Sequence, residues 1–127
     1  MIKRIEHVGI MVRDLEKSIS FYTDIIGFRL LGRLDHPNGQ VKIAFIGTDD
    51  SSGTQIELLE GYNDSLPVEG KVHHLALKVE GIEREINRLK EAGVRLIDRE
   101  ITTLPNGSRY FFFEGPDGEW LELFETV

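Results

Sequence analysis

His74-Leu75-Ala76-Leu77-Lys78-Val79 repeats the pattern of His7-Val8-Gly9-Ile10-Met11-Val12. Each run has a histidine at its head and apolar residues behind it. Each is followed by a helical pattern, a glycine and further strand-like runs. Self-similarity of this kind decides an architecture before any single element does. The registers agree along both halves: His7 to His74 is an offset of 67, Gly27 to Gly93 of 66, and Glu57 to Glu122 of 65. Ile56-Glu57-Leu58-Leu59-Glu60 is mirrored by Leu121-Glu122-Leu123-Phe124-Glu125. Two one-residue deletions in loops account for the drift. The chain reads as one module written twice.

Working outward, residues 4–12 read as a strand with His7, Gly9 and Met11 on one face and Val8, Ile10 and Val12 on the other. Asp14 suits the N-cap of a helix over about 15–26, where Leu15, Ile19, Tyr22 and Ile26 form one apolar stripe and Gly27 ends it. Strands are expected near 28–33, 41–46 and 55–60, with turns at 35–39 and 49–53. Gly61–Gly70, with Pro67 and little apolar periodicity, reads as a connection inside one compact unit. The second half repeats the order. A strand over 72–79 leads to a helical stripe of Ile82, Ile86 and Leu89, with Glu83 and Glu85 in the first turn and Lys90 near the end. Gly93 ends that helix, 94–97 reads as a strand, and Pro105 and Asn106-Gly107 mark a loop. Tyr110–Phe113 reads as an apolar strand covered on both faces, and Trp120–Glu125 as the last strand after the turn at 115–118. The expected fold class is α+β: paired βαβββ modules, about eight strands in all. We expect a single domain over 1–127, with module one at 1–60, a linker at 61–70 and module two at 71–127.

Composition narrows the function classes. The 127 residues suffice for one domain with a real core, and 40% hydrophobic and 29% charged residues are ordinary for a globular protein. The absence of cysteine excludes disulfides, thiolate metal sites and a cysteine nucleophile, and agrees with a reducing cytoplasm. Met1–Ile5 leads straight into a strand pattern, and neither a signal core nor a spanning apolar run is seen, so a cytoplasmic protein without a membrane partner is expected. A formal net charge of −7 disfavours nucleic acid as a partner but allows an anionic small substrate at a metal.

The chemistry sits at four matched positions. Each module offers one histidine on its first strand and one glutamate on its last. Glu57 lies between Ile56 and Leu58, and Glu122 between Leu121 and Leu123, so each carboxylate faces away from its apolar neighbours. An inward carboxylate is costly unless it is paired, hydrogen-bonded or metal-bound. Two in matching positions, each with a matching histidine, point to a metal held by His7, Glu57, His74 and Glu122. Two imidazoles and two carboxylates suit one divalent ion per site, with Ni, Zn, Co, Mn and Fe all compatible. Such an ion acts as a Lewis acid on a substrate oxygen. Strand alternation places His73 opposite His74, as a structural or outer-shell group, and His36 in an exposed turn. Met11 and Lys78 occupy equivalent inward positions, and Trp120 and Phe124 share a face with Glu122, so these four are candidates for the substrate pocket. Core packing is the plain alternative for Trp120, Phe124 and the run Phe111–Phe113.

Over almost its full length the chain resembles the glyoxalase I / vicinal oxygen chelate superfamily. The matching stretches are residues 7–22, beginning His7-Val8-Gly9-Ile10, then Gly27-Phe28, Ile56-Glu57-Leu58, His74-Leu75-Ala76-Leu77, and Pro116-Asp117-Gly118-Glu119-Trp120-Leu121-Glu122-Leu123. The resemblance implies an open, cup-shaped mixed sheet around a metal with ligands at His7, Glu57, His74 and Glu122. It implies a lyase or isomerase that moves a proton next to a carbonyl through a metal-chelated enediolate. Glu122 would be the main base, with Glu57 a ligand and second base. Glutathione-using members carry an arginine four residues after the first histidine and an asparagine four after the first glutamate. Here these are Met11 and Gly61. The second half, from His73-His74-Leu75-Ala76-Leu77-Lys78-Val79 and from Leu89-Lys90-Glu91-Ala92-Gly93-Val94, also looks like methylmalonyl-CoA epimerases. The expected substrate is therefore a small carbonyl compound, as a thiol adduct or an acyl-CoA. A drug-sequestering binding protein is the non-catalytic alternative. Modules of this kind pair within one chain or across a symmetric dimer, and the short chain favours a homodimer.

Overall fold

Alternation along the last strand of each half explains how the elements pack. In the computed structural model, which describes residues 1, 5–49, 53–62, 65 and 72–127, Ile56, Leu58, Leu121 and Leu123 are all buried. The helix of each half lies against the sheet strands: α1 (Leu15–Ser20) against β3 (Lys42–Gly47) and β4 (Gln55–Glu60), and α2 (Ile82–Glu91) against β7 (Arg109–Glu114) and β8 (Trp120–Glu125). The chain divides into two compact units, Met1–Leu66 and Pro67–Val127. The division falls inside the expected linker, most of which lies outside the described residues.

Both units follow one topology. In the first, β1 (His7–Val12) and β2 (Arg29–Asp35) join β3 and β4 in the order β1-β4-β3-β2. In the second, β5 (Leu75–Lys78) and β6 (Thr102–Thr103) join β7 and β8 in the order β5-β8-β7-β6. First and last strands run parallel, and the other pairs are antiparallel. The expected twofold βαβββ repeat and the mixed α+β class are thus observed. A parallel pair needs a crossover, and the helix supplies it.

The helix starts are fastened to the last strands. The Asp14 carboxylate accepts from Lys17 N–H at 3.1 Å, as expected of the N-cap, and Glu60 Oε1 accepts from Leu15 N–H at 2.8 Å. In the second unit Glu125 Oε2 accepts from Gly81 and Ile82 N–H, both at 3.0 Å. Those backbone donors, Ile82 first, together with Arg109, hold the Glu125 carboxyl below the usual range. Glu60 and Glu125 close their strands, so one residue of each repeat ties β4 or β8 to a helix N-terminus.

Several elements depart from expectation. β5 begins only at Leu75, so His73 and His74 precede the ladder. The helix expected over 15–26 is α-helical only to Ser20 and continues as a π-helical turn, Phe21–Ile25, with Ile26 N–H donating to Phe21 C=O. Residues 94–97 form no strand: a single bridge joins Leu96 to Phe113, and the edge strand is instead Thr102–Thr103. The reason is local. Asp98 Oδ2 accepts from Phe112 N–H at 2.9 Å and takes a donor that a ladder would use. β7 is not covered on both faces, for Phe111 and Phe113 are buried while Tyr110 and Phe112 are half-buried. Residues 50–52 of the expected turn at 49–53 lie outside the described residues. Among the described residues, no helix is long and apolar enough to cross a membrane.

Candidate metal centre

Each unit brings its own histidine and glutamate together on the sheet face opposite its helix. In the first, β1 and β4 run side by side with Gly9 beside Glu57. His7 Nε2 lies 3.6 Å from Glu57 Oε2. Gly9 leaves the space: a Cβ there would stand 3.3 Å from Leu59 Cδ1 and 3.7 Å from Glu57 Oε1. In the second unit Ala76 is the register partner of Glu122, and His74 Nε2 lies 3.8 Å from Glu122 Oε1. Both separations exceed a hydrogen bond, so neither pair satisfies itself. Two donors on one face, one nitrogen and one oxygen, held apart rather than bonded to each other, fit ligands of a common divalent ion.

The electrostatics differ between the pairs. Glu122 is 7% exposed. Burial pushes its carboxyl up, the neighbouring His74 and His73 act in the opposite direction, and Asp98 adds to the rise. Glu57 is less enclosed, its side chain 17% exposed.

Each histidine also meets one phenylalanine edge-on. His7 and Phe45 have ring centroids 5.9 Å apart at 79°, and His74 and Phe112 5.1 Å apart at 87°. Phe45 is the register partner of Glu57, and Phe112 of Glu122. The two phenylalanines were not among the expected site residues. Their offset, 67, is that of the histidines, so the repeat carries the signal that would have found them.

The other expected residues fall as follows. Met11 and Glu57 line one cavity of about 620 Å³, with His36, Asn38, Val41, Ile43, Leu59 and Tyr62. His36 is exposed beside its turn, as expected, and stands at the wall of this cavity. Trp120 packs against Phe112 at 5.5 Å and against His73 at 5.0 Å. Lys78 is exposed, with Phe124 as its register partner on β8. His73 does not point away from His74: their Nδ1 atoms lie 2.9 Å apart. Strand alternation fails for this pair because neither residue is in the ladder. Among the described residues, no group of three or more His, Cys, Asp or Glu side chains stands ready to hold a metal, so each unit by itself offers a two-donor pair.

The family model of the Glyoxalase/Bleomycin resistance protein/Dioxygenase superfamily matches residues 4–123. The chain belongs to this superfamily. The uncharacterized protein YwbC of Bacillus subtilis is 52% identical over 125 residues, covering 98% of this chain and 99% of that protein. A probable lactoylglutathione lyase of Synechocystis is 35% identical, covering 94% and 93%. Among solved structures, the trypanothione-dependent glyoxalase I of Leishmania major superposes with a TM-score of 0.81 at 27% identity, over 98% of this chain and 87% of that one. The glyoxalase fold implied by the family resemblance is thereby shown.

Proposed function

We propose that this glyoxalase-superfamily protein is a metal-dependent lyase or isomerase that moves a proton on a carbon next to a carbonyl. The observation that carries the proposal is the twice-built His–Glu pair, on the sheet face away from the helix in both units. His7, Glu57, His74 and Glu122 are the proposed ligands of one divalent ion, of nickel, zinc, cobalt, manganese or iron. Bound there, the ion supplies Lewis-acid polarisation of a substrate oxygen.

The residues of the chain do the rest. Glu122 Oε takes the proton from the carbon beside the carbonyl and returns it to the neighbouring carbon. Burial raises its affinity for that proton, the direction a base needs. Glu57 holds the ion and serves as second base. Phe45 and Phe112 fix the two imidazoles edge-on and keep water from that side. Met11 gives the cavity beside Glu57 an apolar wall.

The proposed substrate is a small carbonyl compound presented as a thiol hemithioacetal, the class implied by relatives named lactoylglutathione lyase. Met11 and Gly61 replace the arginine and asparagine expected for glutathione, so a different thiol is proposed. We further propose a homodimer in the cytoplasm. Metal analysis after purification, with a panel of methylglyoxal hemithioacetals of several thiols and with methylmalonyl-CoA, tests the reading. Solvent deuterium is expected to enter at the carbon next to the carbonyl. A protein that stays metal-free, folds identically with chelator and exchanges no proton would instead be a small-molecule binder. An active monomer in sizing experiments would refute the dimer.

A further inference from the structure

We propose that His73 is the positioning residue for His74, fixing its tautomer and ring angle by accepting a hydrogen bond at Nδ1. The inference rests on the metal reading for the direction of the hydrogen bond, while the contact between the two Nδ1 atoms stands apart from it. The His73 and His74 Nδ1 atoms are 2.9 Å apart, and the rings are perpendicular at 90°. At that distance one nitrogen carries a proton and the other a lone pair. His74 Nε2 is the nitrogen that faces Glu122, at 3.8 Å. To act as a ligand it must carry a lone pair, so the His74 proton sits on Nδ1. His73 Nδ1 is then the acceptor, and the His73 proton sits on Nε2.

His73 is itself held. Its ring meets Trp120 at 5.0 Å and 71° and Phe112 at 6.2 Å and 89°, and Phe112 also meets His74. Four rings thus brace one another around the Nδ1 contact. The first unit has a counterpart: Glu6, the residue before His7, places Oε1 3.5 Å from His7 Nδ1. In both units the residue just before the histidine puts an acceptor near Nδ1, while Nε2 faces the glutamate. Partners of this kind set the orientation and basicity of ligand imidazoles. Because His73 Nδ1 is turned to His74 Nδ1, that nitrogen serves the neighbour and not a shared ion.

The test compares His73→Phe, which keeps a ring and loses the acceptor, with His73→Asn, which keeps an acceptor oxygen. Long-range proton–nitrogen NMR on the metal-free protein near pH 8 reads the tautomer directly. His74 is expected with its proton on Nδ1 in the wild type and in H73N, and shifted towards Nε2–H in H73F. Zinc or nickel affinity, by competition with a chromophoric chelator, is expected to fall roughly 10- to 100-fold in H73F and to stay close to wild type in H73N. A wild-type His74 carrying its proton on Nε2 overturns the proposal, as does an H73F affinity equal to wild type. Equal losses in H73N and H73F would make His73 a ligand and overturn the positioning role. A His74→Ala variant with undiminished affinity would refute the metal reading alone, because the tautomer in metal-free protein still decides the role of His73.

Discussion

Glu122→Gln should change stability in opposite senses with and without metal. The variant removes a charge from a side chain that is 7% exposed and whose carboxyl is pushed up chiefly by burial. An acid whose pKa is raised by folding exacts no penalty below the ordinary glutamate range. The penalty grows as pH rises through the folded value. With chelator present, the glutamine variant should therefore be the more stable protein at pH 7–8, and the difference should close towards pH 4. A buried group short of partners costs about 1–3 kcal/mol, and a chain of this size shifts by roughly 4 °C per kcal/mol, so the melting point should rise by several degrees. With metal at about 100 times its dissociation constant, the wild type gains about 2.7 kcal/mol. The variant, lacking one of the four proposed ligands, gains much less. Turnover should drop by roughly 10²- to 10⁴-fold through loss of the base. Calorimetric scans in chelator and in excess zinc, cobalt or nickel between pH 4 and pH 8 decide the matter. A variant less stable than wild type in chelator at pH 7.5, or an equal metal-induced rise in both proteins, would refute the reasoning. So would a variant that keeps metal and full turnover.

Leu58→Ala, at a side chain with 0% exposure behind Glu57, should cost about 2–5 kcal/mol in urea unfolding and weaken metal binding by loosening β4. Glu125→Gln should lower the melting point at neutral pH and approach wild type as pH falls below the carboxylate range. The folded carboxyl is held down by Ile82 N–H and Arg109, so its contribution is present at high pH and lost in acid. Asp14→Ala removes the acceptor of Lys17 N–H and should cost about 1 kcal/mol, read as a small drop in melting point.

The repeat was legible because it is periodic in both pattern and spacing. β4 and β8 fall where Ile56/Leu58 and Leu121/Leu123 alternate with glutamates, since burying one face of a strand determines its register. The His7–Glu57 pairing follows from the same alternation, once β1 is seen to lie beside β4. What escaped the sequence depends on side chains meeting backbone or rings at a distance. Asp98 intrudes on the β7 ladder and displaces the expected strand at 94–97. The apolar run Tyr110–Phe113 hides an alternation, because Phe112 covers a histidine and not the core. The placement of His73 was missed because alternation holds only inside a ladder, and β5 starts one residue after His74.

The parallel pairing of first and last strands also sets how the chain must fold. His7 pairs with Gln55, 48 residues on, and Leu75 with Leu121, 46 residues on. Each unit must close a loop of about three quarters of its own length before its sheet is complete. The entropy of that closure grows only with the logarithm of loop length. Two closures of almost equal span therefore cost nearly equal entropy.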